Sequence, residues 1–228
     1  MILLFETATP VCSVALCHNG NIIAHRMADD PVAHSTKLAT FVEEVIKESG
    51  GRIKDLEGVC VSSGPGSYTG LRIGVSAAKG LCYALDIPLL SVPTLKSMAA
   101  QYYYEHPEYN GLVCPMVDAR RMECYAAIFN SNLDTIKATS ADIIEDGIYD
   151  EWLNQNEITF IGNGALKTKP ILGVHQNAHW DEYSISAVGM MNLAEQNLKE
   201  GRVEDVAYFE PFYLKDFVAK KPVVKGLR

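Results

Sequence analysis

Ser62-Ser63-Gly64-Pro65-Gly66-Ser67-Tyr68-Thr69-Gly70-Leu71-Arg72-Ile73-Gly74 is the stretch on which the reading of this chain turns. Residues 56–61 before it are mostly apolar with β-branched members, and residues 71–85 after it form a long apolar run of good helix formers. That spacing predicts strand, glycine turn, helix. The glycines let the backbone bend sharply, Ser67 or Thr69 can cap the helix, and free N–H groups at a helix start suit an anion. The known nucleotide signatures nevertheless fail. Gly70 is followed by Leu71 and Arg72 rather than Lys and Ser/Thr, Thr69 stands where a dinucleotide fingerprint needs glycine, and Pro65 stands where a nucleophile elbow around Ser67 needs one. Two readings stay open here: an anion-binding loop, or a tight turn that lets a helix pack closely on a strand.

Between 71 and 85 the charged residues are Arg72 and Lys79, while Gly74, Ala77, Ala78, Gly80 and Ala84 keep the surface small. A helix apolar nearly all round must be covered on more than one side, by its own sheet and by a second helix from this chain or another.

With 228 residues and 48% hydrophobic content the chain can bury a proper core in one large or two small lobes. Its formal charge of −8 argues against tight, unaided binding to nucleic acid. No basic leader precedes the apolar run 2–5 and no run approaches a membrane span, so the cytoplasm is the expected compartment. The six cysteines lie in apolar runs without a Cys-x-x-Cys pair and read as reduced core residues. His175 and His179, four apart, could share a helical face, but the intervening residues do not make a metal motif.

Taken in order, residues 2–5 predict a strand, 6–10 a polar turn, 12–16 and 22–25 two strands joined by the hairpin signal Asn19-Gly20, and 35–48 a helix ended by Gly50-Gly51. The strand, loop and helix around Gly66 follow, then a strand at 88–92 and a helix at 94–104. Polar, proline-containing composition at 106–111 suggests a boundary, giving lobes 1–106 and 107–228. The second lobe repeats the opening: strand 112–117, turn Asp118-Ala119-Arg120-Arg121, strand 123–129, then strand 158–161, glycine turn 162–164 and helix 186–199. A basic tail carries Lys215, Lys220, Lys221, Lys225 and Arg228, and either is simply solvated or meets nucleic acid or a partner.

Two lobes that each begin strand, polar turn, strand and continue through strand-to-helix glycine turns resemble the actin-like ATPase (RNase H-like) superfamily. The expected fold class is α/β, two such lobes, each a mixed sheet with a leading antiparallel three-strand element flanked by helices. More narrowly, the glycine stretch 62–74, Glu6-Thr7-Ala8-Thr9, His34-Ser35, Val117-Asp118-Ala119-Arg120-Arg121 and Pro211-Phe212-Tyr213-Leu214-Lys215 resemble the TsaB (YeaZ) family. The resemblance implies a role in placing threonylcarbamoyl on the adenosine beside the anticodon of tRNAs reading codons that begin with A. It further implies partnership with a catalytic paralogue, TsaD, and an ATPase, TsaE, homodimerisation in isolation, tRNA contact only through the complex, and no membrane.

The residues offer a check on catalysis. In the catalytic paralogue the stretch corresponding to Val92-Pro93-Thr94-Leu95-Lys96-Ser97-Met98 resembles Val-Asn-His-x-x-x-His, whose histidines hold a metal; Thr94 and Met98 are unsuited ligands. Arg120 and Arg121 stand where active superfamily members have the glycines of a phosphate turn, and Glu6 and Ala8 where they commonly have Asp and Gly. The expectation is therefore a subunit with no catalytic residue, no metal and no required cofactor, ATP or ADP entering only in the assembled complex. Contacts to a nucleotide or anion would come from Thr7, Thr9, Gly66, Ser67, Thr69, Asp118, Gly162 and Gly164. The expected partner interface is a four-helix contact through Leu38, Phe41, Val42 and Val45 on the first long helix and Leu71, Gly74, Ala77, Ala78 and Leu81 on the second. The competing readings are an ATP-dependent phosphotransferase or ATPase using Asp118, Glu6 and the glycine turns, and a peptidase using Ser67 or a metal, for which neither a general base nor ligands stand at a recognisable spacing.

Overall fold

The computed structural model describes residues 1–30 and 32–215. Lys220, Lys221, Lys225 and Arg228 of the basic tail lie outside the described residues. The first sheet is built from β1 (Ile2–Glu6), β2 (Val11–His18), β3 (Asn21–Asp29), β4 (Gly58–Ser62) and β5 (Leu89–Val92) in the order β3-β2-β1-β4-β5. β1 is antiparallel to β2 and parallel to β4, so it is covered on both faces and apolar throughout, and Glu6 at its end is equally buried. The β2–β3 hairpin turns at Asn19 (φ 51°) and Gly20 (φ 73°), the left-handed pair that the Asn-Gly signal predicts.

The second sheet repeats that order. β6 (Leu112–Asp118), β7 (Glu123–Phe129), β8 (Thr135–Ile143), β9 (Ile158–Ile161) and β10 (Ala178–Asp181) run β8-β7-β6-β9-β10. Two sheets of one topology, each opened by an antiparallel three-strand element, are the expected actin-like architecture. β10 lies over His179, in a stretch whose polar composition reads as loop; parallel pairing with β9 makes it a strand. His175 precedes that strand, with Nε2 2.8 Å from an Asp150 carboxylate oxygen, so the two histidines share no helical face.

Strand periodicity sends alternate side chains to opposite layers. From the first sheet, Leu3 and Phe5 meet helices α1 (Ala33–Thr36), α2 (Leu38–Glu48) and α3 (Tyr68–Leu85), whereas Ile2 and Leu4 meet a 3-10 turn, Ala187–Met190. α4 (Thr94–Glu105) packs through Leu95, Met98, Ala99 and Tyr102 on the second sheet. That sheet's other face is covered by two four-residue helices, α5 (Asp150–Leu153) and α6 (Lys169–Leu172), and a 3-10 turn, Leu166–Thr168. The last helix, α7 (Met191–Lys199), returns to the first sheet beside Leu90 and Val92.

A division at residue 106 therefore separates the two sheets in sequence but not the two cores. α4 belongs to the second core and residues 187–199 to the first, because each sheet's inner face needs an apolar cover that its own half of the chain does not supply. The helix expected over 186–199 also splits, its first turn being 3-10: a Cβ on Gly189 would sit 2.3 Å from the Ser97 carbonyl, so this turn lies tight against α4. After α7 the chain forms a strap along α3. The Lys79 ammonium donates to the carbonyls of Ala207 (3.0 Å) and Phe209 (3.1 Å), and Phe212 N–H donates to Ser63 O (2.7 Å). All six cysteines are buried and unbridged, as their apolar settings predict. Among the described residues no helix is long and apolar enough to cross a membrane.

Candidate functional site

The glycine stretch connects β4 to α3 as predicted. Ser67 caps the helix, its hydroxyl accepting from Gly70 N–H at 3.2 Å. What the glycines accommodate is the chain's own opening turn. A Cβ on Gly66 would lie 2.4 Å from the Ala8 carbonyl, one on Gly70 2.1 Å from the Thr7 carbonyl, and one on Gly74 2.3 Å from Thr7 Oγ1. Ser67 N–H, a donor that an anion-binding loop would offer, goes to Ala8 O at 2.6 Å. The tight-turn reading is the one the geometry supports, and the space a phosphate would take beside Gly66, Gly70 and Gly74 is filled by protein.

Glu6 anchors this contact from beneath. Its Oε1 accepts from Ala8 N–H (2.6 Å) and Ser62 Oγ–H (3.0 Å), while Oε2 and the neighbouring Thr7 Oγ1 are buried with no partner among the described residues. Burial in this dry crook pushes the Glu6 carboxyl up to about 7, against the lowering effect of those hydrogen bonds.

The equivalent turn of the second lobe is also altered. Arg120 (φ 72°) and Arg121 (φ 49°) hold left-handed backbone that glycine adopts at less cost, and both side chains stand in solvent. Asp118 is engaged locally: Oδ1 accepts from Arg120 N–H at 2.9 Å and pairs with Lys167, whose ammonium also reaches Glu123 O at 2.7 Å. Gly164 packs against the end of β6, a Cβ there meeting Asp118 N and the Val117 carbonyl carbon at 3.0 Å. Thr94 and Met98 are core residues: Thr94 Oγ1 accepts from Gly64 N–H at 3.1 Å, and the Met98 methyl abuts Gly162.

Between the lobes lies a cleft of about 470 Å³ lined by Thr9, Val11, Asp29, Gly162, Asn163 and Glu182 among others. Of the eight residues expected to touch a nucleotide or anion, only Thr9 and Gly162 reach it. Thr7 is sealed under Gly74, Gly66 and Ser67 pack on Ala8, Thr69 is exposed on the first turn of α3, and Asp118 and Gly164 pack locally. Asp29 and Glu182 were not legible as lining residues, since the end of an edge strand and a crossover meet only in the folded chain. The lining holds these two carboxylates and no lysine or arginine, a poor fit to a polyphosphate.

The expected interface residues need correction in the same spirit. Leu38, Phe41, Val42, Val45, Leu71, Gly74 and Ala78 are all buried in the first lobe's own core; only Ala77 and Leu81 are partly exposed. Each helix gives its apolar stripe to its own sheet. α3 is not sealed, however. Its outer face carries Thr69, Arg72, Ser76, Gly80, Tyr83 and Ala84, with Tyr83 85% exposed and open space around Gly80.

Comparison with known proteins gives the following. The family model "TsaD: tRNA N6-adenosine threonylcarbamoyltransferase" matches residues 30–225. A protein named tRNA threonylcarbamoyladenosine biosynthesis protein TsaB from Escherichia coli is 31% identical over 228 residues, covering 96% of each chain. The protein of the same name from Bacillus subtilis is 34% identical over 176 residues, covering 75% of this chain and 74% of its own. Among solved structures, a Pseudomonas aeruginosa protein described as similar to peptidase YEAZ superposes with a TM-score of 0.83 at 23% identity, over 94% of this chain and 99% of its own.

Proposed function

Because the chain belongs to the TsaB (YeaZ) family, we propose that it serves tRNA threonylcarbamoyladenosine biosynthesis as a non-catalytic cytoplasmic subunit that binds and supports a TsaD-type paralogue alongside a TsaE-type ATPase. The observation that carries this is the closed glycine stretch: the carbonyls of Thr7 and Ala8 pack directly on Gly70 and Gly66, and Ser67 N–H is taken by Ala8 O. In support of this reading, Asp118 is tied to Lys167 and the second turn carries left-handed arginines, so among the described residues neither turn presents an open phosphate cradle. The phosphotransferase reading loses its site, and the peptidase reading loses Ser67 to a helix cap. ATP or ADP enters only with the partner.

Action then falls to a surface. We place it on the outer face of α3, where Ser76, Gly80 and Ala84 allow close helix approach and Tyr83 offers an exposed aromatic anchor. A paralogue of the same fold would present an equivalent helix, and a second copy of this chain would compete for the same face. A stable contact needs to bury about 1,000 Å² or more.

Co-purification with the TsaD-type partner tests this. Ser76→Trp and Gly80→Leu should reduce recovered complex at least tenfold while the melting temperature of the isolated chain stays within a few degrees. Recovery at wild-type levels would show the face to be wrong. Threonylcarbamoyl transfer or ATP turnover by the chain alone would overturn the non-catalytic reading.

A further inference from the structure

We propose that this chain carries its own contact for single-stranded RNA: a strip of tyrosine rings and exposed guanidinium groups running from Tyr68 at the first turn of α3, over the strap, to Arg120 and Arg121 in the β6–β7 turn. The inference rests on the tRNA-modification reading above and adds to it a contact made by this subunit.

The strip is continuous. The Arg72 guanidinium lies 5.3 Å from the centre of the Tyr68 ring and donates to its hydroxyl at 2.6 Å. The Tyr68 and Tyr213 rings stand 5.0 Å apart, tilted by 39°. Two residues beyond Tyr213, Lys215 pairs with Glu123, whose N–H donates to Arg120 O at 3.2 Å in the turn that bears Arg120 and Arg121.

Its charge is available. Lys215 and Lys167 are taken by Glu123 and Asp118, which removes those carboxylates as competitors. Among the described residues, Arg120 and Arg121 form no ion pair and both are exposed, while Arg72 is held by Tyr68. Arg120 and Arg121 also hold left-handed backbone, where glycine or asparagine would be the economical choice. Among the described residues no hydrogen bond or ion pair holds either side chain, which leaves both guanidinium groups open to a contact outside the chain.

Exposed guanidinium groups and tyrosine rings along one surface match a single strand, whose phosphates and unstacked bases alternate, better than an acidic protein surface, which would use the cations alone. The net charge of −8 keeps such a contact weak in the isolated chain, so it operates in the assembled complex.

The test uses the chain bound to its TsaD-type partner and a fluorescent anticodon stem-loop, with affinity read by anisotropy across a salt series. Arg120→Gly with Arg121→Gly relieves the backbone, so misfolding does not explain a loss. This double variant should weaken binding at least fivefold at low salt and flatten the log–log salt slope by about 1–2, with assembly unchanged by size-exclusion chromatography. Tyr213→Leu should weaken binding about fivefold while leaving the slope alone. Unchanged affinity in both variants, loss of assembly in the double variant, or equal competition by a loopless duplex would overturn the proposal. If wild-type chains fail to assemble, the functional reading fails instead. The strip is then decided by photo-crosslinking the stem-loop to the isolated chain, where crosslinks at Tyr68 or Tyr213 support it and crosslinks only elsewhere refute it.

Discussion

The two lobes share one strand order and differ in what covers their outer faces. Between β3 and β4 the first lobe inserts the 11-residue α2, and after β4 the 18-residue α3. At the equivalent places the second lobe has the four-residue α5, and a 3-10 turn followed by the four-residue α6. Both lobes close their glycine turns. A Cβ on Gly70 would stand 2.1 Å from a backbone carbonyl and one on Gly162 2.6 Å from the Met116 carbonyl, whereas at Gly164 the nearest atoms are 3.0 Å away. One topology thus yields a lobe that presents a long helix locked onto its opening turn, and a lobe trimmed to a support. The proposed docking face follows the helix, and the proposed RNA contact follows the second lobe's turn.

The largest effect expected from breaking this contrast is at Gly70. Gly70→Ala drives a methyl into the Thr7 carbonyl and should cost about 3 kcal/mol or more in urea unfolding, against about 1–2 kcal/mol for Gly164→Ala. The second lobe has its own dependence. Lys137 pairs with buried Asp142 at 2.8 Å, and Tyr149 donates to the same carboxylate at 2.6 Å, so Lys137→Ala should cost about 3 kcal/mol by stranding the charge.

Proton linkage sharpens the comparison further. The Glu6 carboxyl is raised from 4.5 to about 7 by burial, so the folded chain holds a proton there that the unfolded chain releases above pH 4.5. Stability from this group is complete below pH 4.5, falls as pH rises towards 7, and is lost above it, a change of about 3 kcal/mol. Glu6→Gln should remove that slope in denaturation midpoints measured between pH 5 and 8. Smallest, and of opposite sign, are relief of backbone strain by Arg120→Gly, about 1 kcal/mol, and Gly80→Ala, about 0.5–1 kcal/mol, since nothing lies within 4 Å of a Cβ on Gly80.

Much of this was legible beforehand. Alternating and apolar runs, Asn19-Gly20 and the glycine stretch gave the strands and long helices of the first lobe, because these signals are local. β10 was hidden because its partner, β9, is remote, and the lobe boundary was blurred because α4 and α7 exchange sheets. The interface assignment failed at Leu38, Val45 and Leu71 for a related reason: an apolar stripe announces burial, but not whether the cover belongs to the same subunit.

By itself the sequence determined the actin-like topology and the family, since turn chemistry and motif residues act over a few positions. Only the tertiary structure decided that the glycines receive the chain's own Thr7 and Ala8, that α3 turns Ser76, Gly80 and Tyr83 outward, and that contacts run from Tyr68 to Tyr213 and from Lys215 to Glu123 beside the Arg120 turn. Those facts depend on which distant segments close over one another, and chain folding sets that through packing rather than through any local pattern.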